Sequence, residues 1–182
     1  MKLPKKAKKV FTGKIFDIYQ WPQKMYDGST ATFEMISRVD TVQIIATKGN
    51  KIIMGNESQP GMKRGLSLLG GRCEKNEPEL KAAKRELKEE SGLASKDWKL
   101  IHRHHPLVKM DWEMFLYVAR DCETVAKPTL DSGEKIDLVE VSFEEFVDFF
   151  TSDWRRSWLS YYLCKLKAEK NLGSFKKLLF KK

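Results

Sequence analysis

Apolar and polar side chains alternate through residues 11–19 and again through 30–36, the pattern of half-buried strands. Tyr26, Asp27 and Gly28 between them supply the chemistry of a turn. Residues 42–46 and 51–54 are apolar runs separated by Gly49-Asn50, which predicts a strand, a tight turn and a second strand. Further strands are expected at 66–69, 98–103, 112–119 and 136–141. The period changes to that of a helix between Pro78, which suits a first helical turn, and Gly92, which suits the position after a helix. Leu80, Ala83 and Leu87 form its apolar stripe. Ser142-x-x-Glu145 is a capping box that opens a short helix; a longer one follows Asp153, and a Lys-rich end closes the chain. No internal repeat or low-complexity linker interrupts this order.

Composition adds limits. With 182 residues, 41% hydrophobic and 11% aromatic, the chain can bury one full core but has no room for a second complete domain. Cys73, Cys122 and Cys164 are far apart, odd in number and without CxxC spacing, so neither a disulfide framework nor a zinc site is suggested, and a reducing cytoplasm is the expected location. The basic N-terminus is not followed by a signal-peptide apolar run and no segment is long enough to span a membrane, so no membrane association is expected. The formal net charge of +9 is concentrated at Lys5, Lys6, Lys8 and Lys9 and at Lys176, Lys177, Lys181 and Lys182, positions where charge is usually a solvated tail. No zinc finger, basic zipper or aromatic–arginine interleaving accompanies it, so nucleic acid is not an expected partner; steering of a small anionic substrate accounts for the charge.

The chemistry is concentrated at residues 71–93. On the helix predicted there, Glu86, Glu89 and Glu90 fall at i, i+3 and i+4, on one face. Two such carboxylates about 4 Å apart repel by about 4 kcal/mol at an effective dielectric of 20, a cost a bound cation relieves. Hard oxygen ligands select Mg²⁺ or Mn²⁺, and Mg²⁺ commonly combines a few carboxylates with substrate phosphates. Arg85, four residues before Glu89, is in reach of an ion pair that orients that carboxylate.

These residues carry a resemblance. Gly71, Glu77, Arg85, Glu86, Leu87, Glu89, Glu90, Gly92 and Leu93 meet every fixed position of G-x5-E-x7-R-E-U-x-E-E-x-G-U, the signature of the Nudix hydrolases, with U aliphatic. The resemblance implies an α/β fold, an α/β/α sandwich with a mixed central sheet, and hydrolysis of a nucleoside diphosphate linked to another group. The stretch from Phe11 through Asp27-Gly28 to Arg38 looks like the N-terminal antiparallel β-hairpin extension of the ADP-ribose pyrophosphatase and nucleoside diphosphate sugar branch, where it pairs two subunits into a domain-swapped homodimer. The implied organisation is a basic tail at 1–9, a dimerising β extension at 10–39, a Nudix domain at 40–170 and a Lys-rich end at 171–182.

Residue by residue, the resemblance makes Glu86 and Glu90 the main metal ligands, with Glu89 a further ligand or supporting acid and the Gly70 carbonyl a metal contact. Glu77 and Arg85 support the helix and orient its glutamates. Glu134, with Asp131 as a nearby substitute, matches a mobile-loop acid that contributes metal binding or base catalysis, and Arg38 an arginine that reaches the nucleotide from the partner subunit. Gln59 stands where this branch has a nucleotide-binding arginine, Arg64 is close enough to compensate, and Ser67-Leu68-Leu69 replaces the usual Glu-Leu-Pro. Glutamine lacks the guanidinium's charge and five donors, so the group X stays open. Glu113 is a candidate substrate contact. His102, His104 and His105 read as an exposed polar edge, Trp112, Phe115, Tyr117, Trp154 and Trp158 as core or interface aromatics, and Trp21 and Tyr26 as dimer contacts.

The expected activity is Mg²⁺-dependent hydrolysis of ADP-ribose or a related nucleoside diphosphate sugar to a nucleoside monophosphate and a sugar phosphate. The alternatives are a Nudix hydrolase of another nucleotide (an oxidised nucleoside triphosphate, a diadenosine polyphosphate or capped RNA) and a Nudix-fold regulator that binds nucleotide without cleaving it.

Overall fold

A computed structural model describes residues 2–153 and 157–180, with residues 62–64 described in their backbone only; Trp154 and the side chain of Arg64 lie outside the described residues. The N-terminal part is a small sheet. Strands β1 (Lys8–Thr12), β2 (Asp17–Lys24) and β3 (Thr30–Ser37) form an antiparallel meander, and β9 (Met110–Asp111) adds in parallel to β3. The single strand expected at 11–19 is thus two strands. Gly13 turns the chain between them, its N–H donating to the Phe16 carbonyl at 3.0 Å, and a Cβ there would lie 2.6 Å from that oxygen. The expected turn at Asp27-Gly28 is present, with Asp27 Oδ1 accepting from the Ser29 N–H at 2.9 Å.

The larger sheet runs β12 (Lys135–Val141), β5 (Lys51–Gln59), β4 (Thr41–Lys48), β10 (Met114–Arg120), β8 (Asp97–His104), with β6 (Met62–Ser67) also on β5. β4 and β10 are parallel and the other pairs antiparallel, so the sheet is mixed. Its central strands are apolar on both faces, as strands covered by helices must be. Val42, Ile44 and Ala46 of β4 with Phe115, Tyr117 and Ala119 of β10 face α1 (Glu79–Ser91), against Ala82, Ala83 and Leu87. Ile45, Leu116 and Val118 face the other way, onto α2 (Phe143–Thr151), α3 (Trp158–Ala168) and α4 (Leu172–Leu179). Helices on both faces make the expected α/β/α sandwich.

Pro78 sits at the N-cap of α1 rather than in its first turn, and Gly92 ends the helix at φ 67°. The apolar face is rotated from the expected stripe: Ala82 is fully buried, whereas Leu80 is 36% exposed. The capping box at Ser142 and Glu145 forms as expected, each side chain bonding the other residue's N–H. The Lys-rich end is not a solvated tail through residues 172–179, because α4 buries Phe175 and Leu179 in the core beneath α2 and α3. Buried Arg120 ties it down, donating from Nε to the Leu178 carbonyl at 2.7 Å and from Nη1 to Asp97 Oδ1 at 2.8 Å.

Two further expectations need correction. The strand expected at 112–119 breaks at Trp112-Glu113, so that Met110–Asp111 joins the N-terminal sheet and Met114–Arg120 the central one. His102 and His104 are not an exposed edge: His102 stacks on Trp158 of α3 at 4.7 Å between ring centroids, His104 packs tilted against the same ring at 4.6 Å, and only His105 is exposed. The cysteines are free. Among the described residues no helix is long and apolar enough to cross a membrane.

Candidate active site

The site is built where β4 and β5 part. Their pairing covers only Ala46–Lys48 with Lys51–Ile53, and farther along β5 the partner is β6. The chain after β6 then returns against the open edge of β4: the Ile44 N–H donates to the Leu69 carbonyl and the Val42 N–H to that of Gly71, both at 2.9 Å. This close return has no room for side chains. A Cβ on Gly70, at φ 134°, would lie 2.2 Å from the Val42 oxygen, and one on Gly71 would lie 2.6 Å from the Glu86 carboxylate. The glycines therefore bring the signature loop directly under α1.

Arg85 organises the acids of that helix. Its Nε and Nη2 take Glu77 as a two-pronged pair at 3.2 and 2.9 Å, its Nη1 bonds Glu86 at 2.9 Å and Glu89 at 2.8 Å, and Nη2 also donates to the Arg72 carbonyl at 2.9 Å. The expected i,i+4 pair with Glu89 is one arm of a wider clamp. The hydrogen bonds from Arg85 hold Glu77 below the usual carboxylate range. Glu90 is anchored differently, accepting the Gly70 N–H at 2.7 Å. Burial pushes Glu90 up to about 8, opposed by that hydrogen bond and reinforced by the charges of Glu86, Glu134 and Glu57. Burial raises Glu86 as well, against the pull of Arg85.

A cleft of about 1750 Å³ opens over these groups. It gathers Gly70, Arg85, Glu86, Glu89 and Glu90 from the signature, Asp131 and Glu134 from the loop before β12, Gln59 from β5 and Arg38 from the end of β3. Glu113 is not among its lining residues: it lines a separate cavity of about 410 Å³ and pairs with Arg103 at 2.7 Å and His105 at 3.0 Å. The side chain of Arg64 lies outside the described residues.

Glu57, Trp112 and Phe16 also line the cleft, where none of them was expected. Glu57 shares a face of β5 with Ile53 and Gly55 by simple alternation, and Gln59 Nε2 donates to it at 3.2 Å; the signal was available in the period of two. Trp112, expected as a core or interface aromatic, lines the cleft instead, its ring 4.5 Å from the Arg38 guanidinium carbon, with Phe16 at 5.6 Å from the same carbon. Neither contact is local in sequence, so no spacing announces it.

Among the described residues no three carboxylate, imidazole or thiol groups converge into a ready-made metal cage. The donor set still fits a hard divalent cation. Half-buried Glu86 and Glu90 are acids whose ionised forms are disfavoured by desolvation, and a cation completed by water and phosphate oxygens needs only a few protein carboxylates.

The arrangement defines the class. The NUDIX domain model matches residues 37–162, and the chain belongs to the Nudix family. It is 26% identical over 149 residues to a methanol dehydrogenase activator of Bacillus methanolicus, covering 79% of this chain and 80% of that protein. It is 26% identical over 140 residues to an ADP-ribose pyrophosphatase of Bacillus subtilis strain 168, covering 75% and 76%. The crystal structure of an ADP compounds hydrolase shares the fold, with a TM-score of 0.67 at 19% identity over 91% of this chain and 94% of that one. Within the family the chain is a Nudix pyrophosphatase hydrolase similar to the ADP-ribose pyrophosphatase branch. Nudix hydrolases generally act on nucleotides with the aid of divalent metal ions.

Proposed function

We propose that the protein hydrolyses the diphosphate bond of ADP-ribose or a related nucleoside diphosphate sugar, giving a nucleoside monophosphate and a sugar phosphate, with Mg²⁺ as the physiological ion and Mn²⁺ as a substitute. The observation that carries this reading is the division of labour at α1: Arg85 holds Glu77, Glu86 and Glu89, while Glu90 is turned to the Gly70 N–H at the same cleft. An isolated solvated face has no use for such a clamp.

Glu86 and Glu90, supported by Glu89 and the Gly70 carbonyl, would hold the cation. When bound, it would neutralise the diphosphate and acidify a water that attacks phosphorus. Glu134, with Asp131 as its neighbour, would take the proton from that water. Arg85 keeps two of the acids oriented throughout. Arg38 and Trp112 would receive the nucleotide end, and Gln59 in place of an arginine leaves the group X broader than ADP-ribose alone. The N-terminal sheet, with Tyr26 fully exposed and Phe11 at 56% exposure, is proposed to pair two copies into a homodimer. Three free cysteines suit a reducing cytoplasm.

The test is a chromatographic screen for release of nucleoside monophosphate with Mg²⁺ across ADP-ribose, GDP-mannose, UDP-glucose, NADH and nucleoside triphosphates, using wild type and Glu90→Gln. Turnover of a diphosphate sugar that Glu90→Gln abolishes is the expected result; no turnover of any substrate, with the two proteins equal, overturns it. A species of 21.2 kDa in solution would remove the homodimer.

A further inference from the structure

The break between β9 and β10 sends neighbouring side chains to opposite sides of one wall. Trp112 lines the large cleft, while Glu113 lines the smaller cavity behind it and is itself only 11% exposed in its side chain. Arg38 belongs to both cavities and stands between them. Its Nε is buried without a hydrogen-bond partner among the described residues, and burial together with the charge of Arg72 holds the guanidinium below its ordinary range. With the rings of Trp112 and Phe16 beside it, Arg38 depends on its neighbours for its position rather than on an ion pair.

Those neighbours are set from behind. Glu113 Oε1 accepts from Arg103 Nε at 3.0 Å and Arg103 Nη2 at 2.7 Å, and His105 Nε2 lies 3.0 Å from the same oxygen. His105 in turn places its Nδ1 3.2 Å from the Trp112 carbonyl oxygen. The Glu113 N–H donates to Asp40 Oδ1 at 2.7 Å and its carbonyl accepts the Thr41 N–H at 3.0 Å. Trp112 Nε1 donates to Thr41 Oγ1 at 3.2 Å, and the Arg38 N–H donates to the Asp111 carbonyl at 3.2 Å. The backbone of Glu113 thus fastens the chain after the indole to Asp40 and Thr41, and its carboxylate reaches the Trp112 carbonyl through His105.

We infer that Glu113 is a positioning residue for the nucleotide end of the cleft, acting on Arg38 through Trp112 and not by touching substrate. The inference rests on the proposed function above in taking the Arg38–Trp112 wall as the nucleotide end. A buried carboxylate bonded twice by Arg103, with His105 against the same oxygen, is held in place, and rigidity behind a binding wall lowers the cost of ordering that wall when ligand arrives. Binding should suffer more than chemistry when Glu113 is neutralised, because the acids of α1 are held by other groups.

The test uses the full chain and a double-mutant cycle. Affinity for α,β-methylene-ADP, a nucleoside diphosphate that cannot be cleaved, is measured by calorimetry beside KM and kcat for ADP-ribose. Glu113→Gln is expected to weaken the Kd and raise KM by about fivefold, with kcat within about twofold, whereas in an Arg38→Ala background the same change should move Kd by less than about twofold. His105→Ala supplies a second entry to the network should Glu113→Gln fold poorly, and is expected to give a smaller change of the same kind. Equal effects of Glu113→Gln in both backgrounds, or a fall in kcat at unchanged KM, overturn the inference. Weaker binding by Arg38→Ala with Glu113→Gln silent overturns the positioning role alone; Arg38→Ala without effect overturns the reading of the wall as well.

Discussion

The Gly70 N–H donates to Glu90 Oε2 at 2.7 Å, so this acid of α1 is anchored by backbone, outside the Arg85 clamp. That single bond does not offset burial, and the carboxyl is pushed up to about 8. Because the folded-state value lies above the ordinary value of 4.5, the folded chain holds a proton that the unfolded chain has released. Stability of the cation-free protein should be greatest near and below pH 4.5 with respect to this group and fall as pH rises through about 8. Glu90→Gln keeps an acceptor for Gly70 and removes the titration. Melting curves in EDTA from pH 5 to 9 should show the variant gaining on wild type as pH rises; parallel curves would contradict this.

Gly71 and Gly70 separate site from fold. The three atoms nearest a Cβ on Gly71 all belong to the Glu86 carboxylate, the end of a side chain, whereas a Cβ on Gly70 meets the Val42 backbone and φ there is 134°. Gly71→Ala should leave the melting temperature nearly unchanged while displacing Glu86 and lowering kcat by about 10²-fold, the scale expected of a 1 Å misplacement. Gly70→Ala should lower stability itself. Paired thermal melts and initial rates decide it, and a Gly71→Ala enzyme of full activity would count against Glu86 as a ligand.

Legibility in the sequence followed the range of the interactions. The Arg85–Glu89 pair and the Ser142–Glu145 capping box depend on three- and four-residue spacings, and both stand as expected. The split of residues 112–119 depends on Asp40, Arg103 and His105, which only the folded sheet brings to Glu113, and alternation alone runs straight across it. His102 and His104 look polar until α3 supplies Trp158, and Leu80 looks buried until the sheet selects Ala82 instead. Trp112 entered the cleft for the same reason, since the wall it joins is assembled from separate strands and loops, whereas Glu57 follows from alternation along β5.

The C-terminal helix gives a stability prediction remote from the chemistry. Its lysines suggested a tail, yet Phe175 is 4% exposed and its ring lies 5.9 Å from Tyr162 and 6.3 Å from Phe143. Phe175→Ala should cost about 3–5 kcal/mol, the usual loss for a buried phenylalanine, whereas Lys177→Ala on the exposed side should cost less than about 0.5 kcal/mol. Urea denaturation measures both. Equal, small effects would return α4 to the status of a loosely held end.

Arg85 is the sharpest test of how the acids are held. Lysine keeps the charge but offers a single nitrogen, so it cannot take both oxygens of Glu77 and also reach Glu86 and Glu89 as the fork does. Glu77, with a side chain 4% exposed, would then keep its charge with an incomplete partner. Arg85→Lys should destabilise the protein by about 1.5–3 kcal/mol, the range for hydrogen bonds to charged groups at a half-buried pair. Because the same cation also sets the rotamers of Glu86 and Glu89, kcat should fall by about 10²-fold even at saturating Mg²⁺. Glu77→Gln removes the other side of the fork, so the double variant should lose less than the two single losses combined. Complete recovery of kcat in Arg85→Lys on raising Mg²⁺ would mean that the guanidinium merely assists cation binding, and the orienting role would have to be abandoned.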